Sequence, residues 1–134
     1  MPDQQAAENA LRILVAEDNT ALGVVLRFNL QRAGFDVTLT RNGREAWEKS
    51  QTQSFDLVIS DHQMPEMTGT EFCQRLRQSE LNHSTPLIFL TAKALEIDLR
   101  RILDELGVTL VMPKPFSPAD LLTKVESCLA AHAE

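Results

Sequence analysis

Glu17, Asp18, Asp61, Thr91 and Lys114 stand out in this chain as acids, a hydroxyl and an ammonium that recur in one sequence setting. Each follows a short apolar run: Leu11 to Ala16 leads into Glu17-Asp18, and Leu57-Val58-Ile59-Ser60 into Asp61. Likewise Leu87 to Leu90 leads into Thr91, and Leu110-Val111-Met112 into Pro113-Lys114. Carboxylates gathered in one place raise one another's pKa, and a cation relieves the repulsion. A ligand set of oxygens, without His or Cys, suits a hard ion, and few carboxylates completed by water suit Mg²⁺. Lys114 would add a compact positive charge matched to a phosphoryl oxygen, and Thr91 a hydroxyl donor. Cation, ammonium and hydroxyl around one carboxylate describe a site where Asp61 attacks phosphorus and becomes an aspartyl phosphate. Taken singly, each residue has an ordinary alternative. Acids favour helix starts, aspartate caps turns, and lysine is usually solvated. Their recurrence at the ends of separate apolar runs carries the reading.

The hydrophobic pattern predicts the strands and helices that carry these residues. The runs are short, bounded by turn signals, and continuous enough to be strands buried on both faces; Pro65 shows that the Asp61 run has ended by then. The first helix is expected from Asn19 or Thr20 to Arg32, with Leu22, Val25, Leu26 and Leu30 inward and Gly34 as its stop. Phe35 to Leu39 alternates in polarity and reads as a strand near a sheet edge. Asn42-Gly43 marks the turn into a helix carrying Ala46 and Trp47. A third helix begins near Thr70 and turns Phe72, Cys73 and Leu76 inward. A fourth runs from about Leu95 to Leu106 and ends at Gly107. Ser117 caps the last, which uses Leu121, Leu122, Val125 and Leu129. Five strand–helix units in strict alternation predict an α/β fold, a doubly wound five-stranded parallel sheet with helices on both faces. Parallel strands bring their carboxyl ends to one edge, where ligands bind in such sheets.

Composition bounds the function. A chain of 134 residues, 43% hydrophobic and 24% charged, is one domain of ordinary soluble type. The net charge of −6 argues against direct nucleic-acid binding. No apolar run approaches membrane-spanning length, and Met1 to Ala10 shows no secretory signal. Those ten residues read as a flexible arm, with the folded domain at 11–131. Cys73 and Cys128 have no metal or CxxC spacing and read as free thiols of a reducing compartment. The expected location is the cytoplasm.

Ala16-Glu17-Asp18-Asn19, the string from Asp61-His62-Gln63-Met64-Pro65 to Glu66-Met67-Thr68-Gly69, Leu90-Thr91-Ala92 and Lys114-Pro115-Phe116 together resemble the response-regulator receiver domains of two-component signalling. The similarity runs from about Leu11 to Leu129 and implies the flavodoxin-like (βα)5 receiver fold. It implies that Asp61 is the phosphoacceptor. Asp18, Asp61 and the backbone carbonyl of Gln63 become Mg²⁺ ligands, with Glu17 acting through water. Thr91 matches the switch hydroxyl, Lys114 the lysine that contacts the phosphoryl group, and the Lys114–Pro115 bond is expected to be cis. The implied donor is a phosphohistidine on a histidine kinase or histidine phosphotransfer protein. The implied output is an unknown downstream protein, or an effector domain not present here, reached through the fourth helix, fifth strand and last helix, a face through which the chain could also dimerise. The chain is then no ordinary enzyme; it catalyses only its own phosphorylation and dephosphorylation. Two features depart from the family pattern: Glu17 stands where aspartate is commoner, and Val111 where a tyrosine or phenylalanine usually stands, three residues before the lysine. A phosphatase with an aspartyl-phosphate intermediate is the rival reading, disfavoured because no insertion is long enough to cap a substrate pocket. A phosphorylation-independent docking module is disfavoured by the intact acidic set. His62, beside Asp61, reads as solvated.

Overall fold

A computed structural model describes residues 9–92 and 104–133. The strands are β1 (Arg12–Ala16), β2 (Asp36–Thr40), β3 (Leu57–Asp61), β4 (Leu87–Thr91) and β5 (Leu110–Pro113). The helices are α1 (Thr20–Arg32), α2 (Gly43–Ser50) and α3 (Gly69–Leu76), then helical residues 104–106 (α4), and α5 (Pro118–Ala133). The strands form one parallel sheet in the order β2-β1-β3-β4-β5. Chain order reverses between β1 and β3, so the crevice of this sheet opens above those two strand ends. The edge position expected for the second strand is observed.

Period-two alternation divides the core. Ile13, Val15, Leu57, Ile59, Ile88 and Leu90 point to one face, covered by Leu26 and Leu30 of α1 and Leu121 and Val125 of α5. Leu14, Val58, Leu87 and Phe89 point to the other, covered by Ala46 of α2 and Phe72, Cys73 and Leu76 of α3. Phe72 and Phe89 are fully buried, each stabilising the fold by about 1.5–3 kcal/mol of apolar transfer. β3 and β4 are buried at every position, which is why they read as unbroken apolar runs rather than alternating ones.

Polar caps set where the helices begin. Asn19 accepts from the Leu22 N–H, and Asn42 caps α2 by accepting from the Glu45 N–H. Thr68 and Glu71 form a reciprocal capping box on α3, while Ser117 Oγ accepts from the Asp120 N–H. Gly34 and Gly107 lie at positive φ just beyond helix ends. One inward expectation fails: Val25 is exposed. At 100° per residue Leu22, Leu26 and Leu30 define a stripe whose other flank is Gly23, and Gly23 is the residue seated there, against Leu39. Most of the arm expected at 1–10 and of the helix expected at 95–106 lies outside the described residues, as does Lys93.

The α3 start is set tightly under the end of β3. A Cβ on Gly69 would stand 2.5 Å from the Asp61 carbonyl oxygen and 2.9 Å from the His62 Cα. Gly69→Ala is therefore expected to destabilise the fold by about 1–3 kcal/mol, the cost of overpacking against backbone. Urea unfolding measures it, and an unchanged midpoint would mean that the loop yields freely.

Candidate functional site

The alternation that builds the core also aims the site. Glu17 continues the Ile13–Val15 row, Asp61 the Leu57–Ile59 row, and Lys114 the row ending in Met112, so all three belong to the α1/α5 side of the sheet edge. β1 and β3 are neighbours in register, Val15 beside Ile59 and Ala16 beside Ser60, which brings Glu17 alongside Asp61. One carboxylate oxygen from each of Glu17, Asp18 and Asp61 falls within a group whose members lie within 4.8 Å of one another. Glu17 and Asp61 are buried, whereas Asp18 is exposed at the mouth.

Lys114 reaches back over the sheet edge to this group. Its Nζ lies 3.1 Å from Asp61 Oδ2 and donates a hydrogen bond to it. The same Nζ donates to Glu17 Oε2 at 3.3 Å and lies 3.1 Å from Oε1. The Asn19 N–H also donates to Glu17 Oε2, at 3.1 Å. Asp61 Oδ1 accepts from the Gln63 N–H at 3.4 Å. Thr91 ends β4 as a buried residue, and its carbonyl accepts from the Lys114 N–H at 2.6 Å, tying the β5 end to the β4 end. The Lys114–Pro115 bond is cis, as the resemblance implied. His62 is not free in solvent: it is half-buried, with its ring centroid 5.5 Å from that of Phe89.

Three ionised carboxylates against one ammonium leave two negative charges uncompensated. Burial, reinforced by the Asp61 charge, pushes Glu17 up from an ordinary 4.5 to about 7, against the pull of the Asn19 N–H and Lys114. Burial also raises Asp61 above its ordinary value, although Lys114 and the Gln63 N–H pull the other way. Burial alone would lower Lys114, but its hydrogen bonds and charge pairing with Glu17 and Asp61 outweigh it and raise the ammonium's pKa. Glu17 Oε1 is fully buried and has no hydrogen-bond partner among the described residues. A buried carboxylate oxygen that is ion-paired with Lys114 but accepts no hydrogen bond, beside two further acids in a set lacking nitrogen and sulfur donors, fits a hard divalent cation.

The structure thus brings together four of the residues that the sequence singles out, Glu17, Asp18, Asp61 and Lys114, and places Thr91 at the end of the adjoining strand. Sequence reasoning missed the grip on the loop after Asp61. Glu66 pairs with Arg44 at 2.7 Å across 22 positions of sequence, a separation that leaves no local pattern to read.

Residues 13–126 match the response regulator receiver domain family. The chain is 39% identical over 119 residues to the alkaline phosphatase synthesis transcriptional regulatory protein PhoP of Bacillus subtilis, a match covering 88% of this chain and 48% of that protein. It is 39% identical over 118 residues to the phosphate regulon transcriptional regulatory protein PhoB of Rhizobium meliloti, covering 88% and 52% respectively. The chain spans about half the length of these curated relatives. Among solved structures, the chemotaxis response regulator CheY4 of Vibrio cholerae superposes with a TM-score of 0.83 at 32% identity, over 90% of this chain and 99% of that one. The receiver domain of a sensor histidine kinase from Pseudomonas aeruginosa, with a magnesium ion coordinated in its active-site cleft, superposes with a TM-score of 0.81 at 29% identity, over 90% and 98%.

The raised Glu17 pKa has a defined sign in stability. A carboxyl that holds its proton more tightly folded than unfolded stabilises the fold fully below 4.5, and that contribution is lost as pH rises through about 7. In metal-free buffer, wild-type unfolding free energy is expected to fall relative to that of Glu17→Gln across this window. Urea unfolding of both proteins from pH 4 to pH 8 gives the comparison. A wild type that gained stability relative to the variant as pH rose would mean that Glu17 is depressed, not raised.

Proposed function

The chain belongs to the receiver domains of two-component response regulators, and from that membership we propose that Asp61 is its phosphoacceptor. The observation that carries this reading is the pairing of the buried Asp61 carboxylate with Lys114 at 3.1 Å, inside a three-carboxylate group at the carboxyl edge of the sheet. In the proposed reaction an Asp61 oxygen attacks phosphorus, a new O–P bond forms, and the P–N bond to a donor histidine breaks. The imidazole leaves with the bond electrons and takes up a proton. Later attack by water on the same phosphorus returns the carboxylate and releases phosphate. The Lys114 ammonium is already within reach of the Asp61 oxygens, so it can follow charge onto the incoming phosphoryl oxygens without a large rearrangement. Thr91, at the end of the neighbouring strand, is assigned the hydroxyl that meets another of those oxygens.

Asp18, Asp61 and the Gln63 carbonyl are the ligands we assign to Mg²⁺, with Glu17 holding it through water. The bound ion would supply the two positive charges that Lys114 leaves wanting, and would polarise the phosphoryl oxygens. The chain's own contribution is to align Asp61, exclude bulk water from its buried side, and hold the ammonium in place.

The donor we assign is a phosphohistidine on a histidine kinase or phosphotransfer protein, and the compartment is the cytoplasm. No helix among the described residues is long and apolar enough to cross a membrane. Output is assigned to the face of α4, β5 and α5, toward a downstream protein, a second copy, or further domains of a longer chain. Val111 is half-buried and, like Leu106, packs against the core on the α2/α3 side of the sheet. A β-branched side chain of this length has no long rotor to swing, so the switch is assigned to Thr91 and the segment after it rather than to Val111.

Labelling with acetyl phosphate and Mg²⁺, read by intact mass, tests the assignment. Asp61→Asn is expected to abolish the adduct, His62→Ala to retain most of it, and the wild-type adduct to be lost in alkali or hydroxylamine, as an acyl phosphate is. Acid-labile label surviving in Asp61→Asn would instead make the chain a histidine phosphocarrier.

A further inference from the structure

The loop that carries Gln63 is gripped from outside by the start of α2. At its tip Glu66 has φ 70, in the left-handed region that disfavours a residue with a Cβ. The Met67 N–H donates to the Pro65 carbonyl at 2.7 Å across it, and an i to i+2 hydrogen bond around a positive φ is the strained form of γ-turn. The Glu66 side chain is held at both oxygens. Arg44 Nε donates to Oε1 at 2.7 Å, and Asn42 Nδ2 to Oε2 at 3.4 Å. Both donors are themselves oriented, Arg44 by Glu48 at 3.1 Å and Asn42 by capping α2 through the Glu45 N–H at 2.8 Å. Between them, Gly43 lets the helix start close on the same loop, for a Cβ there would stand 2.2 Å from the Met67 carbonyl oxygen. The base of the loop is closed by the Gly69 N–H on the His62 carbonyl at 3.0 Å and the Gln63 N–H on Asp61. The tip, lacking a backbone preference for its own shape, is shaped by α2.

We propose that Arg44 and Asn42 are positioning residues for the phosphoacceptor site: by holding Glu66 they fix the 62–68 loop in the conformation that presents the Gln63 carbonyl to a divalent cation. This rests on the assignment of Asp61 and Gln63 made above. An exposed ion pair contributes little on its own. This one acts on a turn that the backbone disfavours, so its loss is read in loop geometry and metal affinity rather than in global stability.

The test uses Mg²⁺ alone as the probe, with amide shifts as the readout, on wild type, Arg44→Ala, Glu66→Ala and the double variant. In metal-free protein the Met67 amide should exchange faster in each single variant than in wild type. The Mg²⁺ concentration for half-saturation should rise roughly two- to fivefold, the range a charge-assisted exposed contact can transmit. The double variant should be no worse than Glu66→Ala, which already cuts the Arg44 contact along with that of Asn42, and Arg44→Lys should recover part of the Arg44→Ala loss. Glu66→Gly, which removes strain and tether together, should fold and still bind Mg²⁺ more weakly. If an alanine variant fails to fold, the near-isosteric Glu66→Gln replaces it. Wild-type Mg²⁺ affinity and Met67 exchange in both Arg44→Ala and Glu66→Ala would overturn the proposal, as would additive losses in the double variant. A wild type that neither binds Mg²⁺ at this edge nor takes a phosphoryl group on Asp61 would overturn this proposal and the assignment beneath it, an outcome distinct from failure in the variants alone.

Discussion

The Lys114 ammonium, shared between Asp61 and Glu17, is the interaction on which this sheet edge depends. Two buried carboxylates on adjacent parallel strands would otherwise repel each other in a medium that screens poorly. A single ammonium offsets part of that repulsion and leaves the rest as a standing demand for positive charge or a proton. Burial, with the Asp61 charge as a lesser cause, holds the Glu17 pKa up at about 7, and its Oε1 is left paired with Lys114 by charge alone, accepting no hydrogen bond among the described residues. A site in this condition is suited to a cation, and, once the cation is bound, to a nucleophile whose negative charge must be available rather than neutralised by a proton.

Meeting the constraint requires three strand ends to converge. Parallel pairing sends every strand end to one edge, the chain reversal between β1 and β3 opens the crevice there, and alternation decides which side chains face it. The two aromatic side chains sealed beneath α3 and the caps on α1, α2 and α3 hold those ends in register. The site is therefore a consequence of the sheet's topology, and the loops refine it.

Much of this was legible in the chain. Apolar runs ending in acids mark β1 and β3 because burial on both faces leaves no room for polar residues until the strand ends. Five alternating units made the doubly wound sheet the economical reading, and the Asp61 to Gly69 string made the family resemblance specific. What could not be read was set by tertiary packing. The inward flank of α1 falls to Gly23 rather than Val25, because the helical angle turns Gly23 toward the sheet, where a Cβ would already stand 3.2 Å from the Leu39 side chain. His62 settles against Phe89, a residue of the neighbouring strand. Glu66 adopts a backbone conformation that its own type disfavours, held by a helix start more than twenty positions earlier.

The edge of the sheet carries more carboxylates than Lys114 can offset, a surplus that a divalent cation would satisfy. The most direct measurement is the thermal midpoint of the metal-free chain as MgCl₂ is added at constant ionic strength near pH 7.5, in wild type and in Asp18→Asn. A ligand bound only by the folded state raises the midpoint with its concentration. A steady rise is expected in wild type and a much smaller one in Asp18→Asn, in which the exposed carboxylate of the group has been removed. A wild-type midpoint indifferent to Mg²⁺, or an equal rise in both proteins, would contradict it.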